Sequence, residues 1–129
     1  DSLLNFQDKE TGMWYQVINK GDNPKNYMET SGTLMIAYSV LKGGRLGILD
    51  AEYKKYGEKA FSGTIEKYLS EKDGEIVLGG ICGVAGLGNN PYRDGSEEYY
   101  YSERLISNDA KGTGPFLMAY SEIIQSQER

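Results

Sequence analysis

The most constraining feature of this sequence is a segment, residues 30–42, that is apolar on nearly every side of a helix. The residues at helical spacing are Leu34, Ala37, Tyr38 and Leu41, and Met35, Ile36 and Val40 fill most of the remaining surface. Such a helix must be covered by neighbouring elements on most of its circumference. We expect Thr30 or Ser31 to cap it, and Gly43-Gly44 or Gly47 to end it.

Two further helices complete the main pattern. A second helix is predicted over residues 51–69, where one apolar stripe is flanked by charged residues, as in an outer helix. A third is predicted to begin at Thr113-Gly114-Pro115, with the proline at the first helical position. Alternating inner and outer helices are typical of layered helical hairpins, so the predicted fold class is all-α. Residues 75–78 and 98–102 are β-prone and are the candidates for a short β-hairpin.

A glycine-rich run over residues 79–103 carries the candidate site. Five of its six glycines precede Asn-Pro-Tyr-Arg-Asp-Gly, a sequence rich in turn formers that contains the sixth. Glycines at this density let the backbone approach a ligand closely. We therefore expect an ordered loop that presents the polar side chains of Asn89, Asn90, Arg93 and Asp94.

Composition excludes several classes of function. The net charge of −5 argues against nucleic-acid binding, which calls for basic patches. A single cysteine, Cys82, rules out an internal disulfide, and the absence of histidine excludes Ser-His-Asp catalysis and the usual zinc sites. No apolar run approaches the roughly 20 residues of a membrane span, so no membrane partner is expected.

Two alternative interpretations of the glycine-rich run fail. Residues 83–88 approach but do not match G-x-G-x-x-G, and a proline turn follows where a dinucleotide site needs a helix. Residues 90–101 have Asp94-Gly95 at the offset of a calcium loop, but Tyr92 occupies a ligand position and Tyr101 replaces the terminal glutamate.

Other candidate residues have two interpretations each. Arg93 and Asp94 either grip a carboxylate or brace their turn through a local ion pair. Trp14 and Gln16 alternate with Tyr15 and Val17, so the Trp ring and the amide can face one side and hold a sugar, although a lone Trp is more often part of a core. Glu29 lies at the start of the first helix, where the positive helix end favours an ionised carboxylate and disfavours a general acid.

Seven blocks, in order along the chain, resemble glycoside hydrolase family 105, the unsaturated rhamnogalacturonyl hydrolases. The specific signals are Cys-Gly-Val-Ala-Gly-Leu-Gly (82–88) and Pro-Tyr-Arg-Asp-Gly-Ser (91–96). The others are Gly-Met-Trp-Tyr-Gln-Val (12–17), Tyr-Met-Glu-Thr-Ser-Gly (27–32), Lys-Gly-Gly-Arg-Leu-Gly (42–47), Glu-Tyr-Tyr (98–100) and Asn-Asp-Ala-Lys-Gly-Thr-Gly-Pro-Phe (108–116).

The resemblance implies a six-hairpin α/α barrel of which residues 1–129 form the C-terminal third or so. In the family an aspartate upstream of this segment delivers a proton to the vinyl ether of an unsaturated uronic-acid disaccharide or oligosaccharide, and no metal or organic cofactor is implied. This chain would then bind substrate and carry no catalytic residue. The expected binding residues are Gly88, Asn89, Asn90 and Arg93, followed by Trp14 and Gln16. Family members often have glycine where this chain has Asn89.

Two other functions stay open. One is an unsaturated glucuronyl hydrolase of the related family 88, acting on glycosaminoglycan disaccharides. The other is a non-catalytic sugar-binding or structural piece. Because three main helices cannot close a ring of hairpins, we also expect the isolated segment to expose apolar surface and to self-associate or pack loosely.

Overall fold

The structure is a computed structural model and describes residues 2–127. The α-helices are α1 (Thr30–Arg45), α2 (Lys54–Tyr68), α3 (Glu97–Ser102) and α4 (Ala110–Gln127), with 3-10 helices at Ser2–Phe6 and Ala51–Tyr53. Four short strands form two antiparallel pairs in this part of the chain. These are β1 (Leu69–Lys72) with β2 (Glu75–Leu78), and β3 (Ile81–Cys82) with β4 (Leu105–Ile106).

Helix α1 lies at the centre and packs against both α2 and α4, as its apolar pattern predicts. The main core cluster joins α1, α2, α4 and both sheets, and consists of Leu34, Leu41, Phe61, Leu78, Ile81 and Ala119. Close approach to α2 depends on Gly57, where a Cβ would lie 2.8 Å from Leu41 Cγ. The three long helices α1, α2 and α4 confirm the all-α prediction.

The second helix and the strand after it are close to the prediction. The predicted apolar stripe of α2 is buried at Gly57, Ala60, Phe61 and Thr64. The helix ends at Tyr68, so Leu69, which was predicted to be its last residue, instead begins β1. Asp73 (φ 54°) and Gly74 (φ 81°) connect β1 to β2 in left-handed conformations, as a two-residue hairpin turn requires.

Two predictions about the second half of the chain are wrong. Residues 98–102 are not a strand but part of α3, because Ser96 caps a helix there by accepting from Tyr99 N at 3.2 Å, and Glu97 and Glu98 suit its first turn. Helix α4 begins at Ala110 rather than at Pro115, which lies inside it. Asp109 explains the early start, since its Oδ1 accepts from Lys111 N at 2.9 Å.

Helix α1 is less completely covered than its pattern predicts. Met35 is 47% exposed, and on the neighbouring α4 the side chain of Leu117 is 64% exposed. These helices therefore present apolar surface to solvent, as expected for a segment of a larger helical layer. Among residues 2–127, no helix is both long and apolar enough to cross a membrane.

Candidate substrate-binding site

A cleft of 260 Å³ opens at the N-terminus of α1, and we call it the α1 cleft. Its polar lining comes from three separate parts of the chain and consists of Gln16, Glu29, Ser31 and Lys111. Its apolar lining comes from α1 and from the start of the glycine-rich loop: Met35, Val84 and Ala85. Cys82 on β3 and Gly32 complete the lining.

The Glu29 carboxylate organises one end of this cleft. The side chain is 6% exposed and caps α1, with Oε2 accepting from Gly32 N at 2.6 Å and Oε1 from Ser31 N at 3.1 Å. Oε1 also accepts from the Ser31 hydroxyl at 2.7 Å and from Cys82 N at 2.9 Å. Glutamate is an unusual cap, since Ser, Thr, Asp and Asn are preferred. Here the longer side chain reaches β3 as well as α1. The predicted caps, Thr30 and Ser31, instead lie in the first turn.

Cys82 lies beside two polar side chains. Gln16 Nε2 donates to Cys82 Sγ at 3.6 Å, and the Tyr27 hydroxyl lies next to the same sulfur. Burial raises the pKa of the Cys82 thiol, and the carboxylates of Glu29 and Glu103 act in the same direction. Burial likewise raises the pKa of the Tyr27 hydroxyl, with the neighbouring cysteine second in importance. Both groups are therefore neutral near pH 7, and the thiol is poorly suited to nucleophilic attack.

The glycine-rich loop leaves the cleft as a fixed hairpin. Gly83 N donates to Arg104 O at 2.8 Å, and Gly86 N donates to the Tyr99 hydroxyl at 3.0 Å. Farther out, Gly88 and Arg93 exchange two backbone hydrogen bonds, of 2.9 and 3.0 Å. These contacts confirm an ordered loop, with its tip of residues 89–92 exposed to solvent and a cis peptide between Asn90 and Pro91.

Some polar side chains of this loop hold its backbone in place, and others are exposed to solvent. Arg93 Nε donates to Gly88 O at 3.3 Å, and its guanidinium lies so close to Gly86 that a Cβ there would be 3.2 Å from Nη1. Asp94 accepts from the Ser96 amide and hydroxyl, at 2.9 and 2.8 Å, so it braces the start of α3. Asn89 has a φ of 74°, and its Oδ1 accepts from Asn90 N at 2.9 Å.

The predicted binding residues thus fall into two groups. Gly88, Asn89, Asn90 and Arg93 lie together at the loop tip, whereas Trp14 and Gln16 both border a smaller cleft of 150 Å³ that shares Gln16, Glu29 and Gly32 with the α1 cleft. Trp14 is only 2% exposed, packs with Ala37 and Ala60, and donates Nε1–H to Leu3 O at 2.9 Å. Substrate binding by these six residues stays a prediction.

Sequence reasoning missed several residues of the α1 cleft: Ser31, Met35, Val84, Ala85 and Lys111. Lys111 carried no signal, because only the early start of α4 brings it to the cleft, where its Nζ lies 2.8 Å from Asp109 Oδ1. Met35 and Val84 were assigned to a buried helix and to a glycine scaffold. Within residues 2–127, no cluster of three or more Cys, Asp and Glu side chains is arranged to hold a metal ion.

Comparison with known proteins gives the family. Residues 1–127 match the model of Glycosyl Hydrolase Family 88. Protein Atu3128 of Agrobacterium fabrum is 42% identical over 120 residues, which cover 88% of this chain and 52% of that protein. The 24.9 kDa protein in the picA locus of Rhizobium radiobacter matches with the same identity and coverage. The chain therefore spans about half the length of these curated relatives.

Solved structures give the same result for the fold. A family 105 glycoside hydrolase from C. acetobutylicum matches with a TM-score of 0.89 and 48% identity, covering 94% of this chain and 34% of that one. A possible member of family 105 from Klebsiella pneumoniae matches with a TM-score of 0.76 and 25% identity, covering 98% and 29%. The all-α fold is thus that of part of an α/α barrel that is similar in structure to glycoside hydrolases of family 105, and the chain belongs to Glycosyl Hydrolase Family 88.

Proposed function

We propose that the protein hydrolyses glycosides of Δ4,5-unsaturated galacturonic acid, of the kind found at the ends of cleaved rhamnogalacturonan, and that residues 1–129 form the C-terminal part of its catalytic domain. The observation that carries the proposal is the likeness to a family 105 glycoside hydrolase, at 48% identity over 94% of this chain. It is supported by the glycoside hydrolase family match over residues 1–127 and by the specific loop blocks at 82–88 and 91–96.

The reaction expected from the family is hydration of the vinyl ether double bond. A carboxylic acid protonates C4, water adds at C5, and the resulting hemiketal opens and releases the attached sugar. In this proposal the segment contributes binding only, with the proton donor elsewhere in the protein. The α1 cleft and the loop tip supply what such a role needs: amide, hydroxyl and ammonium groups on rigid backbone.

A second candidate has an observation in its favour. The model that matches this chain is that of family 88, a family associated above with unsaturated glucuronyl hydrolases. The two candidates differ in the sugar released. Both activities destroy the absorbance of the unsaturated uronide, so one assay tests both. We expect the full-length protein to remove that absorbance faster from a galacturonyl–rhamnose disaccharide than from a glycosaminoglycan disaccharide. The reverse preference favours the second candidate, and no loss with either substrate contradicts the enzyme proposal.

Asn89 offers a test of the loop itself. Its left-handed φ of 74° makes alanine a poor probe, since alanine lacks the short polar side chain that lets asparagine adopt this conformation and would be strained by up to about 1–2 kcal/mol whether or not the amide contacts a ligand. Asn89→Gly removes the amide and keeps the backbone. If the amide binds a sugar hydroxyl, KM rises several-fold while kcat is retained. The matched control is Asp73→Gly, at another left-handed position (φ 54°) in the β1–β2 turn, for which we expect no change in KM. If kcat/KM is unchanged in Asn89→Gly, the side chain of Asn89 does not bind substrate and the loop tip has only a structural role.

A further inference from the structure

We infer that Lys20 and Lys25 are positioning residues for the glycine-rich loop. Their ion pairs hold helix α3, and α3 holds the loop through the hydroxyl of Tyr99, so the order of the loop depends on ionic strength. The consequence for substrate affinity rests on the proposed function, because that function assigns binding to the loop. The coupling between the lysines and the loop does not depend on it.

Helix α3 has little apolar burial to hold it in place. It is six residues long, and within the described part of the chain none of its residues is buried. Tyr99 and Tyr100 are half-buried and contact each other, with ring centroids 5.3 Å apart, and the main core cluster includes neither. So short a helix is not stable by itself in water, and an element without buried apolar contacts opens locally with a small free energy. The position of α3 therefore depends on its polar contacts.

Two ion pairs connect α3 to the loop of residues 19–26. Lys20 Nζ lies 3.0 Å from Glu97 Oε1. Lys25 Nζ donates to both carboxylate oxygens of Glu98, at 3.1 and 2.9 Å. Both glutamates lie in the first turn of α3, so the two pairs hold the same end of the helix. The four side chains are between 43% and 71% exposed, so dissolved salt screens both pairs.

The lysine side of these pairs is fixed by a neighbouring asparagine. Asn26 Nδ2 donates to the backbone oxygens of Val17 and Lys20, both at 2.9 Å. The Oδ1 atom of Asn26 accepts from Val17 N at 3.2 Å. The lysines therefore project from a backbone that is hydrogen-bonded to itself, and α3 is the element that is released when the pairs break.

The part of the glycine-rich loop that borders the α1 cleft is joined in turn to α3. The Tyr99 hydroxyl accepts from Gly86 N at 3.0 Å, and the preceding residue, Ala85, lines the cleft. Farther out, Gly88 and Arg93 pair with each other, so their contact moves with the loop. Release of α3 therefore removes the contact at Gly86 and lets the loop shift relative to the cleft.

Hydrogen exchange of the full-length protein, followed by mass spectrometry of overlapping peptides, tests the coupling without substrate. At residues 84–87 we expect exchange to become about five-fold faster from about 20 mM to about 1 M NaCl, the factor for the loss of exposed ion pairs. Lys20→Gln/Lys25→Gln, which leaves the sequence of α3 unchanged, should show the faster exchange at low salt. Tyr99→Phe should also speed exchange there and remove its dependence on salt, because the loop is then no longer joined to α3.

Lys55→Gln/Lys72→Gln is the matched control, because it removes the same charge from two exposed lysines on α2 and β1. It should keep the exchange of the wild type and its dependence on salt. Exchange at residues 84–87 that responds neither to salt nor to Lys20→Gln/Lys25→Gln overturns the inference. A dependence on salt that survives Tyr99→Phe also overturns it.

The consequence for affinity is measured at low salt with the unsaturated galacturonyl–rhamnose disaccharide. Lys20→Gln/Lys25→Gln should raise KM several-fold while kcat and the denaturation midpoint stay those of the wild type, a combination that general destabilisation does not produce. A wild-type KM in this variant, although its loop exchanges faster, overturns the inference. The proposed function fails separately. The expected exchange without hydrolysis of any unsaturated uronide contradicts only the enzyme proposal, and hydrolysis without the exchange response contradicts only the inference.

Discussion

Replacement of Glu29 by glutamine tests how strongly the carboxylate ties α1 to β3. The amide has nearly the same shape, but only one oxygen. If that oxygen takes the Oε1 position, it keeps the bonds from Ser31 N, the Ser31 hydroxyl and Cys82 N. The new NH₂ group then faces Gly32 N–H, which donated to Oε2 at 2.6 Å, and two donors oppose each other.

The expected loss follows from these contacts. An unpaired buried N–H costs about 1–3 kcal/mol. Loss of the charge also weakens the three remaining hydrogen bonds, because charge-assisted bonds are roughly twice as strong as neutral ones. Together we expect Glu29→Gln to lower the free energy of unfolding by about 3 kcal/mol. Because we propose that the chain is part of a larger catalytic domain, the change is expressed as a free energy rather than as a shift in Tm, which becomes smaller as domain size grows.

Denaturant unfolding followed by circular dichroism measures this change, and a second variant divides it. Glu29→Asp can still cap α1 but is too short to reach Cys82 N as well, so its loss should be smaller than that of Glu29→Ala. The control is Glu98→Gln, which breaks an exposed ion pair with Lys25 Nζ, 2.9 Å away, and should leave the midpoint unchanged. A Glu29→Gln protein with the midpoint of the wild type refutes the reasoning.

Two further predictions concern the packing of the helices. Hydrogen bonding to Arg45 lowers the pKa of Glu122 below its usual value of 4.5, so the pair stabilises the fold above that pH and the stabilisation is lost as the pH falls through the folded-state pKa. The difference in free energy of unfolding between wild type and Glu122→Gln should therefore shrink from pH 7 to pH 3. A difference that stays constant over this range contradicts the prediction. Gly63→Ala should destabilise the protein by about 1–3 kcal/mol in thermal unfolding, because the new Cβ would lie 1.8 Å from the backbone oxygen of Thr11. The control is Gly114→Ala, where a Cβ would meet no atom within 4 Å, so this change should be neutral or stabilising.

The long helices could be predicted because their signal is periodic. The α2 stripe at Gly57, Ala60, Phe61 and Thr64 repeats every three or four residues, and the same four residues are buried. The prediction of β structure at residues 98–102 is wrong because three tyrosines in a row favour a strand by propensity alone. A local hydrogen bond from Tyr99 N to Ser96 Oγ outweighs that propensity.

The α1 cleft could not be predicted, for a different reason. Its lining comes from positions 16, 29–35, 82–85 and 111, which are brought together by non-local contacts. One of these is the pairing of Ile81 with Ile106 and Cys82 with Leu105, a ladder of two residues per strand that is too short to leave an alternating pattern. The sequence predicts a site in the loop because glycine and turn residues act locally, but it carries no information on which helix end the loop adjoins.

Asn89 shows how the resemblance and the geometry combine. The family often has glycine at this position, and the structure explains the preference, because the backbone there is left-handed with a φ of 74°. Asparagine is among the few other residues that adopt this conformation routinely. The departure from the family pattern therefore leaves the course of the loop unchanged and adds one amide side chain at its exposed tip. A change confined to a side chain alters which ligand is held rather than whether the loop folds, so Asn89 is where we expect the substrate preference of this protein to differ from that of relatives with glycine.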